Sequence, residues 1–114
     1  MGKAPDLIFR TDGVQHQAFL LALNEHGIAF NGNDTAIPHN TLVGIEIETT
    51  DDTVRNNFTK DRAAGLTHIV FATMPKFVQR ITQLLLSLHE PLDGIIVIDA
   101  LRLLDSLRKD QPHG

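Results

Sequence analysis

The chain contains no cysteine, tryptophan or tyrosine, and its aromatic residues are six phenylalanines. Without cysteine it can form no disulfide, iron–sulfur cluster or thiolate zinc site, and it has no thiol nucleophile. Its longest apolar runs, such as the one ending at Leu23, are far shorter than the roughly 20 residues needed to cross a bilayer. The first residues also lack the apolar stretch of a secretory signal. We therefore expect a cytoplasmic protein without a membrane span.

Several short enzyme motifs are absent as well. No glycine-rich phosphate loop occurs, the six histidines show neither HExxH nor HxxxH spacing, and the two serines, Ser87 and Ser106, lie late in predicted helices. The shortage of aromatic residues also provides little surface on which nucleic-acid bases could stack. A nucleotide-binding loop, a zinc centre and a serine nucleophile are therefore not expected.

The charge is acidic overall but segregated along the chain. Ten Lys and Arg residues stand against 14 Asp and Glu residues, which gives a net charge of −4. Between positions 53 and 80 the balance is reversed, since Asp61 is the only acid there. The basic residues of this segment are Arg55, Lys60, Arg62, Lys76 and Arg80. The overall charge argues against a surface devoted wholly to nucleic acid, but this segment predicts a local binding face.

From position 42 onwards, strand and helix patterns alternate three times. Residues 42–49 alternate between apolar and polar side chains, and residues 67–73 and 94–98 are short apolar runs; all three predict strands. Helices are predicted at 53–64 after the capping residues 50–52, from Pro75 to His89, and after Asp99. Strands separated by such helices form parallel sheets with helices on both faces.

The first 41 residues allow two interpretations. Residues 6–11 predict a strand, and 14–26 predict a helix ended by Gly27, followed by short strands at 28–30 and 35–37. Alternatively, 17–23 and 28–31 form a β-hairpin. We prefer the helix because the segment is rich in Leu, Ala and Gln. The expected fold is one α/β domain over residues 1–114, with a mixed central sheet and frayed ends at 1–5 and 110–114.

Paired acids are the most informative candidate site. Glu46 and Glu48 lie two residues apart, so their side chains leave the same face of the predicted strand. Carboxylate oxygens are ligands that Mg²⁺ prefers, usually one or two of them with water and phosphate oxygens. Asp34, or less plausibly His39, could complete the set. The alternative is a strand face that is simply solvated.

The run from Ile45 to Thr49, the following helix with Lys60, and the strand 67–73 resemble the PD-(D/E)XK, or restriction-endonuclease-like, superfamily. Members share an αβββαβ core and usually cut DNA with one or two magnesium ions. Their motif is an acid, often after a proline, then a second acid, one residue, and a lysine. The resemblance covers most of the chain as a pattern of elements.

This resemblance implies a Mg²⁺-dependent nuclease or nuclease-like domain. Glu46 matches the second acid, Glu48 stands where the lysine is expected, and Lys60 would be a migrated lysine. Because Pro38 is followed by His39, Asp34 is the candidate first acid. Asp34, Glu46 and Glu48 would hold the metal, and Lys60 would neutralise charge on the phosphoryl oxygens. The five basic residues of segment 53–80 would bind the phosphate backbone.

Two other functions fit the sequence. The chain could be a non-catalytic interaction module whose leucine-striped C-terminal helices bind a partner, a larger complex or a second copy. If residues 14–31 were a hairpin, the chain would instead look similar to a PH/GRAM-like binding domain.

Overall fold

The computed structural model describes residues 5–12 and 16–109, without the side chains of Phe9 and Lys109. Predictions for residues 1–4, 13–15 and 110–114 lie outside this part. Four strands and four helices alternate along the chain. They are β1 (Leu7–Arg10), α1 (His16–His26), β2 (Leu42–Glu48), α2 (Val54–Ala63), β3 (His68–Thr73), α3 (Pro75–Ser87), β4 (Ile95–Asp99) and α4 (Ala100–Lys109).

The strands form one mixed sheet in the order β1-β2-β3-β4. β1 runs antiparallel to β2, with Leu7 opposite Ile45, whereas β2, β3 and β4 are mutually parallel. The crossovers through α2 and α3 proceed in the same direction along the sheet, so both helices cover the same face. α1 and α4 cover the other face, which confirms the predicted α/β fold with helices on both sides.

Each face of the sheet carries its own apolar core. The core beneath α1 and α4 includes Leu23, Ile45, Val70 and Leu103, and the core beneath α2 and α3 is centred on Phe71. Alternation along the strands separates the two sets, because successive side chains point to opposite faces. This alternation places Gly44, Glu46 and Glu48 on the α2 side of β2. Among the described residues, no helix is long and apolar enough to cross a membrane.

The first third of the chain differs in part from the prediction. α1 confirms the helix, so the hairpin interpretation is wrong and the PH/GRAM-like alternative loses its basis. The short strands expected at 28–30 and 35–37 are absent. Only Ile28 forms a single antiparallel bridge, to Val97 on the outer edge of β4. An apolar run of three residues is too short to specify a ladder, and the segment from 29 to 41 crosses to β2 as a loop.

Arg62 ties the end of α2 to the two loops beneath it. Its Nη1 donates to the carbonyls of Leu66 and Thr67, and its Nη2 donates to those of Pro91 and Asp93. Burial lowers the pKa of Arg62, and the carboxylate of Asp93 opposes that shift. These donors are already used inside the fold, which argues against the predicted role of Arg62 in phosphate binding.

Replacing Arg62 with alanine should therefore destabilise the protein. Four carbonyls would lose a charged donor, and we expect the free energy of unfolding to fall by about 2–3 kcal/mol. Arg55→Ala is the matched control, because Arg55 is exposed on the same helix and should change stability by less than about 0.5 kcal/mol. Urea unfolding of both variants measures the difference, and equal effects would contradict a structural role for Arg62.

Candidate functional site

Glu46 and Glu48 lie beneath α2 and not on a solvated strand face. Each is only 2% exposed. A buried carboxylate is costly unless hydrogen bonds or opposite charges compensate it. The two residues obtain this compensation in different ways, and the difference separates their roles.

Glu48 is held by neutral donors from the start of α2. Thr53 Oγ1 donates to its Oε2 at 2.6 Å, and Asn57 Nδ2 donates to its Oε1 at 2.7 Å. The N-cap residue of α2 is Thr53 and not one of the predicted capping residues 50–52. The Thr53 hydroxyl donates to Glu48 instead of capping the helix. On the neighbouring strand, Thr73 Oγ1 donates to the Glu48 carbonyl at 2.8 Å. Glu48 therefore positions α2 against the carboxyl end of β2.

Glu46 instead meets charged groups. Lys60 Nζ lies 3.6 Å from Glu46 Oε2 and 3.8 Å from Asp61 Oδ1, so one ammonium group faces two carboxyl groups. Asp61 has no exposed surface. It lies on the buried stripe of α2, three residues after Phe58 and one turn further along the helix. The predicted approach of Lys60 to Glu46 from the next helix is therefore present.

Three carboxyl oxygens in this cluster lack a hydrogen-bond donor. They are Glu46 Oε2 and both carboxyl oxygens of Asp61. Burial raises the pKa of Glu46 to about 8, and a hydrogen bond to Asp61 and its charge add to the shift, while Lys60 opposes it. A proton on Glu46 supplies the donor that the pair otherwise lacks. At neutral pH Glu46 therefore holds a proton beside Lys60.

A further acid belongs to this cluster. Asp6 immediately precedes β1, at a bend of the chain next to the pairing of Leu7 with Ile45. Its Oδ2 accepts a hydrogen bond from the Ile47 amide at 2.7 Å, and its charge contributes to the raised pKa of Glu46. We call Asp6, Glu46, Lys60 and Asp61 the acidic centre.

Asp34 is not placed with the other predicted ligands. It lies in the loop before β2, where its Oδ1 accepts a hydrogen bond from the Ala36 amide at 3.0 Å. Within residues 5–12 and 16–109, no group of three or more His, Asp or Glu side chains could hold a metal ion. The structure thus does not assemble Asp34, Glu46 and Glu48 as one ligand set, whereas it does bring Glu46 and Lys60 together.

The predicted basic face is divided by α2. Lys60 lies on the flank beside the acidic centre, whereas Arg55 and Arg62 lie on the opposite flank and line a groove of about 510 Å³ against the end of α3. Lys76 and Arg80 flank the ring of Phe77 near the start of α3. Arg80 Nη1 is also 3.9 Å from Asp51 Oδ1. The five residues do not form one continuous patch around the acids.

Asp6 and Asp61 were not selected as site residues from the sequence. Asp6 lies 40 positions before Glu46 in the sequence. Only the antiparallel pairing of β1 with β2 brings them together. The sequence does carry a signal for the burial of Asp61. This residue lies on the same helical stripe as Val54 and Phe58, and it is the only acid between positions 53 and 80.

Comparison with known proteins identifies no relative of this chain: no family model matches it, and neither a curated protein nor a solved structure is significantly similar to it.

Proposed function

We propose that this chain is a nuclease-like domain that binds a phosphodiester backbone at the acidic centre and hydrolyses it with a divalent cation. One observation carries the proposal: Lys60 Nζ lies 3.6 Å from Glu46 Oε2, while Asp6, the acid that follows Pro5, accepts a hydrogen bond from the amide of Ile47, the residue after Glu46. An acid after a proline, a second acid and a lysine are the residue types of the superfamily motif, although the lysine here comes from the next helix instead of the second position after the second acid.

In this proposal Asp6 takes the place first given to Asp34. The side chain of Asp6 is directed to β2, whereas the carboxylate of Asp34 is bound to its own loop. Glu48 becomes a positioning residue, because its two oxygens are held by Thr53 and Asn57. The metal ligands supplied by the chain are then Asp6 and Glu46.

The donor set fits Mg²⁺. The ion takes hard oxygen ligands, commonly one or two carboxylates with the remainder from water and phosphate. Glu46 Oε2 is buried and has no hydrogen-bond donor, as expected for an oxygen available to a cation. A bound Mg²⁺ would polarise the scissile phosphate and lower the pKa of a coordinated water. For Glu46 to act as a ligand it must release its proton.

Lys60 has a separate role in this proposal. Its ammonium group lies beside Glu46 on the flank of α2 that faces β1, so it can bind a phosphoryl oxygen and stabilise negative charge that develops there. Lys60→Met should lower the cleavage rate by about 100-fold or more, the usual loss when one such donor is removed. Binding of Mg²⁺ should persist in this variant, since no carboxylate is lost.

Asp6→Asn tests the assignment of the first acid. Asparagine keeps the oxygen that accepts from Ile47 but removes the charge, so we expect Mg²⁺- or Mn²⁺-dependent cleavage of DNA and RNA substrates to be lost while the fold persists. Asp34→Asn is the matched control and should retain the wild-type rate. The proposal is contradicted if wild-type protein cleaves neither substrate with either metal, or if Asp34→Asn is the inactive variant.

Lys76 and Arg80, in the first two turns of α3, are assigned to bind the phosphate backbone beyond the acidic centre. Reversing both charges (Lys76→Glu with Arg80→Glu) should weaken DNA binding and reduce its dependence on log salt by about 0.9 for each lost phosphate contact. Arg102→Glu with Arg108→Glu is the control, because both residues are exposed on α4 at the opposite face. A titration over several salt concentrations measures the slopes, and equal loss in both double variants would contradict the assignment.

A non-catalytic interaction module is the second candidate. Exposed leucines on α4 favour it, since Leu101 and Leu104 are each 51% exposed. Interaction and catalysis are compatible in one domain, and the contacts of Glu46 with Lys60 and Asp61 have no evident purpose in an interaction surface, because Glu46 and Asp61 are buried.

A further inference from the structure

We propose that Asn57 is a positioning residue: its side-chain amide, oriented by Glu48, holds the Lys60 ammonium group beside Glu46. The hydrogen-bonded chain from Glu48 through Asn57 to Lys60 is called the amide relay below. Its role in catalysis rests on the proposed function, in which Lys60 stabilises charge on a phosphoryl oxygen.

The amide relay runs along the side of α2 that packs on β2. Asn57 Nδ2 donates to Glu48 Oε1 at 2.7 Å, and Asn57 Oδ1 accepts from Lys60 Nζ at 3.4 Å. Asn57 lies in the first turn of α2 and is partly buried. Lys60 follows three residues later, so the two side chains are neighbours on the helix surface. A single amide therefore links a carboxylate of β2 to the ammonium group on α2.

Glu48 determines which end of the amide faces Lys60. A carboxylate has no hydrogen to donate, so the NH2 group of Asn57 must be the end that faces Glu48, and the carbonyl oxygen is left for Lys60. An ammonium group donates and cannot accept, so it requires that oxygen. The reverse orientation would place an oxygen against the carboxylate and an NH2 group against the ammonium group. Both neighbours of Asn57 thus select the same orientation.

Asn57 gives the position of Lys60 a direction that charge alone does not give. The carboxyl oxygens Glu46 Oε2 and Asp61 Oδ1 lie 3.6 and 3.8 Å from Lys60 Nζ, and of these three contacts only that with Asn57 is within hydrogen-bond distance. Charge attraction has little angular preference, and the four-carbon stem of lysine is flexible. The hydrogen bond to Asn57 therefore limits where the ammonium group can lie.

A neutral acceptor suits a lysine beside a cation site. A Mg²⁺ ion on Glu46 would neutralise the carboxylate near Lys60 and would itself repel the ammonium group. Asn57 carries no charge and is held by Glu48, so its oxygen would still keep Lys60 within reach of a phosphate. The amide relay would thus hold Lys60 in place at the step for which the proposed function requires it.

Two variants separate the positioning of Lys60 from the support of Glu48. Asn57→Leu, similar in size, removes both contacts of the amide relay, whereas Thr53→Val removes the other donor to Glu48 and leaves the relay intact. Both should lower the midpoint of urea unfolding, because each leaves a buried carboxylate oxygen without its donor. Only Asn57→Leu should lower kcat, by about 10- to 100-fold with little change in KM, the usual loss when a group that orients an active-site residue is removed.

Exchanging the two groups tests the direction of the amide. Glu48→Gln with Asn57→Asp keeps a donor and an acceptor between positions 48 and 57, now with the amide on β2, and still presents an oxygen to Lys60. This double variant should recover most of the kcat that Asn57→Leu loses. A folded double variant as slow as Asn57→Leu would contradict the amide relay.

The Lys60 ammonium signal in heteronuclear NMR spectra reports its position without substrate or metal. The chain has four lysines, and Lys60→Met identifies the signal. The Lys60 side chain is 20% exposed. We expect its hydrogen-bonded ammonium signal in wild type and in Thr53→Val, and its loss through faster proton exchange in Asn57→Leu.

The two measurements have separate contradicting outcomes. An unchanged Lys60 signal in Asn57→Leu, or an equal loss of kcat in Asn57→Leu and Thr53→Val, would overturn the positioning role. A wild-type protein that shows the expected signals but cleaves no nucleic acid would instead count against the nuclease-like function alone.

Discussion

Replacing Glu46 with glutamine is expected to lower Mg²⁺-dependent phosphodiester cleavage by at least about 100-fold. Glutamine matches glutamate in size and keeps one oxygen, but it removes the charge that would bind the cation together with Asp6. The fold should be unaffected, because Glu46 already holds a proton at neutral pH. Single-turnover cleavage measures the rate, and thermal unfolding of the same sample shows that the variant is folded.

Glu48→Gln provides the matched control for this prediction. Glu48 lies on the same face of the same strand and is equally buried, but its oxygens accept hydrogen bonds from Thr53 and Asn57. We expect lower stability and a cleavage rate within about tenfold of wild type. If Glu48→Gln eliminates cleavage and Glu46→Gln does not, then the acidic centre is assigned to the wrong glutamate.

The second large effect concerns stability and pH in protein freed of divalent cations. The pKa of Glu46 is raised from 4.5 to about 8 in the folded state. Between these values the folded chain binds a proton that the unfolded chain has lost, so stability falls as pH rises from about 4.5 to about 8. The loss is expected to be on the order of a few kcal/mol, and it should be absent in Glu46→Gln.

The difference between wild type and Glu46→Gln isolates this effect from other titrating groups. Burial lowers the pKa of His68, with a further contribution from Arg62, and that shift has the opposite sign: stability rises with pH up to the ordinary histidine pKa. Both proteins contain His68, so its contribution cancels. Urea unfolding at pH 5, 7 and 9 should show that the free energy of unfolding of Glu46→Gln, relative to that of wild type, increases at each step. A constant difference would mean that Glu46 is not buried beside Asp61.

Most of the elements could be predicted from the sequence because their signals are local. The alternation at 42–49, Pro75 at the start of α3 and Asp99 before α4 each mark one element, and Asp99 Oδ1 does accept the Leu101 amide at 2.8 Å. The strand predictions within residues 28–37 were wrong because any pairing of this segment depends on strands far away in sequence. Ile28 finds one partner, Val97, and only after β4 has formed.

The candidate site was predictable only in part, for the same reason. Glu46 and Lys60 belong to one β–α unit, so the spacing between them carries information about their contact. Asp6 reaches the site through a long-range antiparallel register that no local pattern specifies. Arg62 shows the converse limit, since a basic residue on a helix looks available for phosphate, whereas its donors are bound by carbonyls of the loop that follows α2 and of the distant loop before β4.

Paramagnetic broadening of amide signals by Mn²⁺ tests the central claim most directly, because it locates a cation without requiring a substrate. In wild-type protein the first signals to broaden should be those of Asp6, Glu46, Ile47 and Lys60, and Asp6→Asn should prevent this while Asp34→Asn leaves it unchanged. Broadening centred on the loop around Asp34, or spread evenly over exposed acids such as Glu25 and Asp52, would contradict a cation site at the acidic centre.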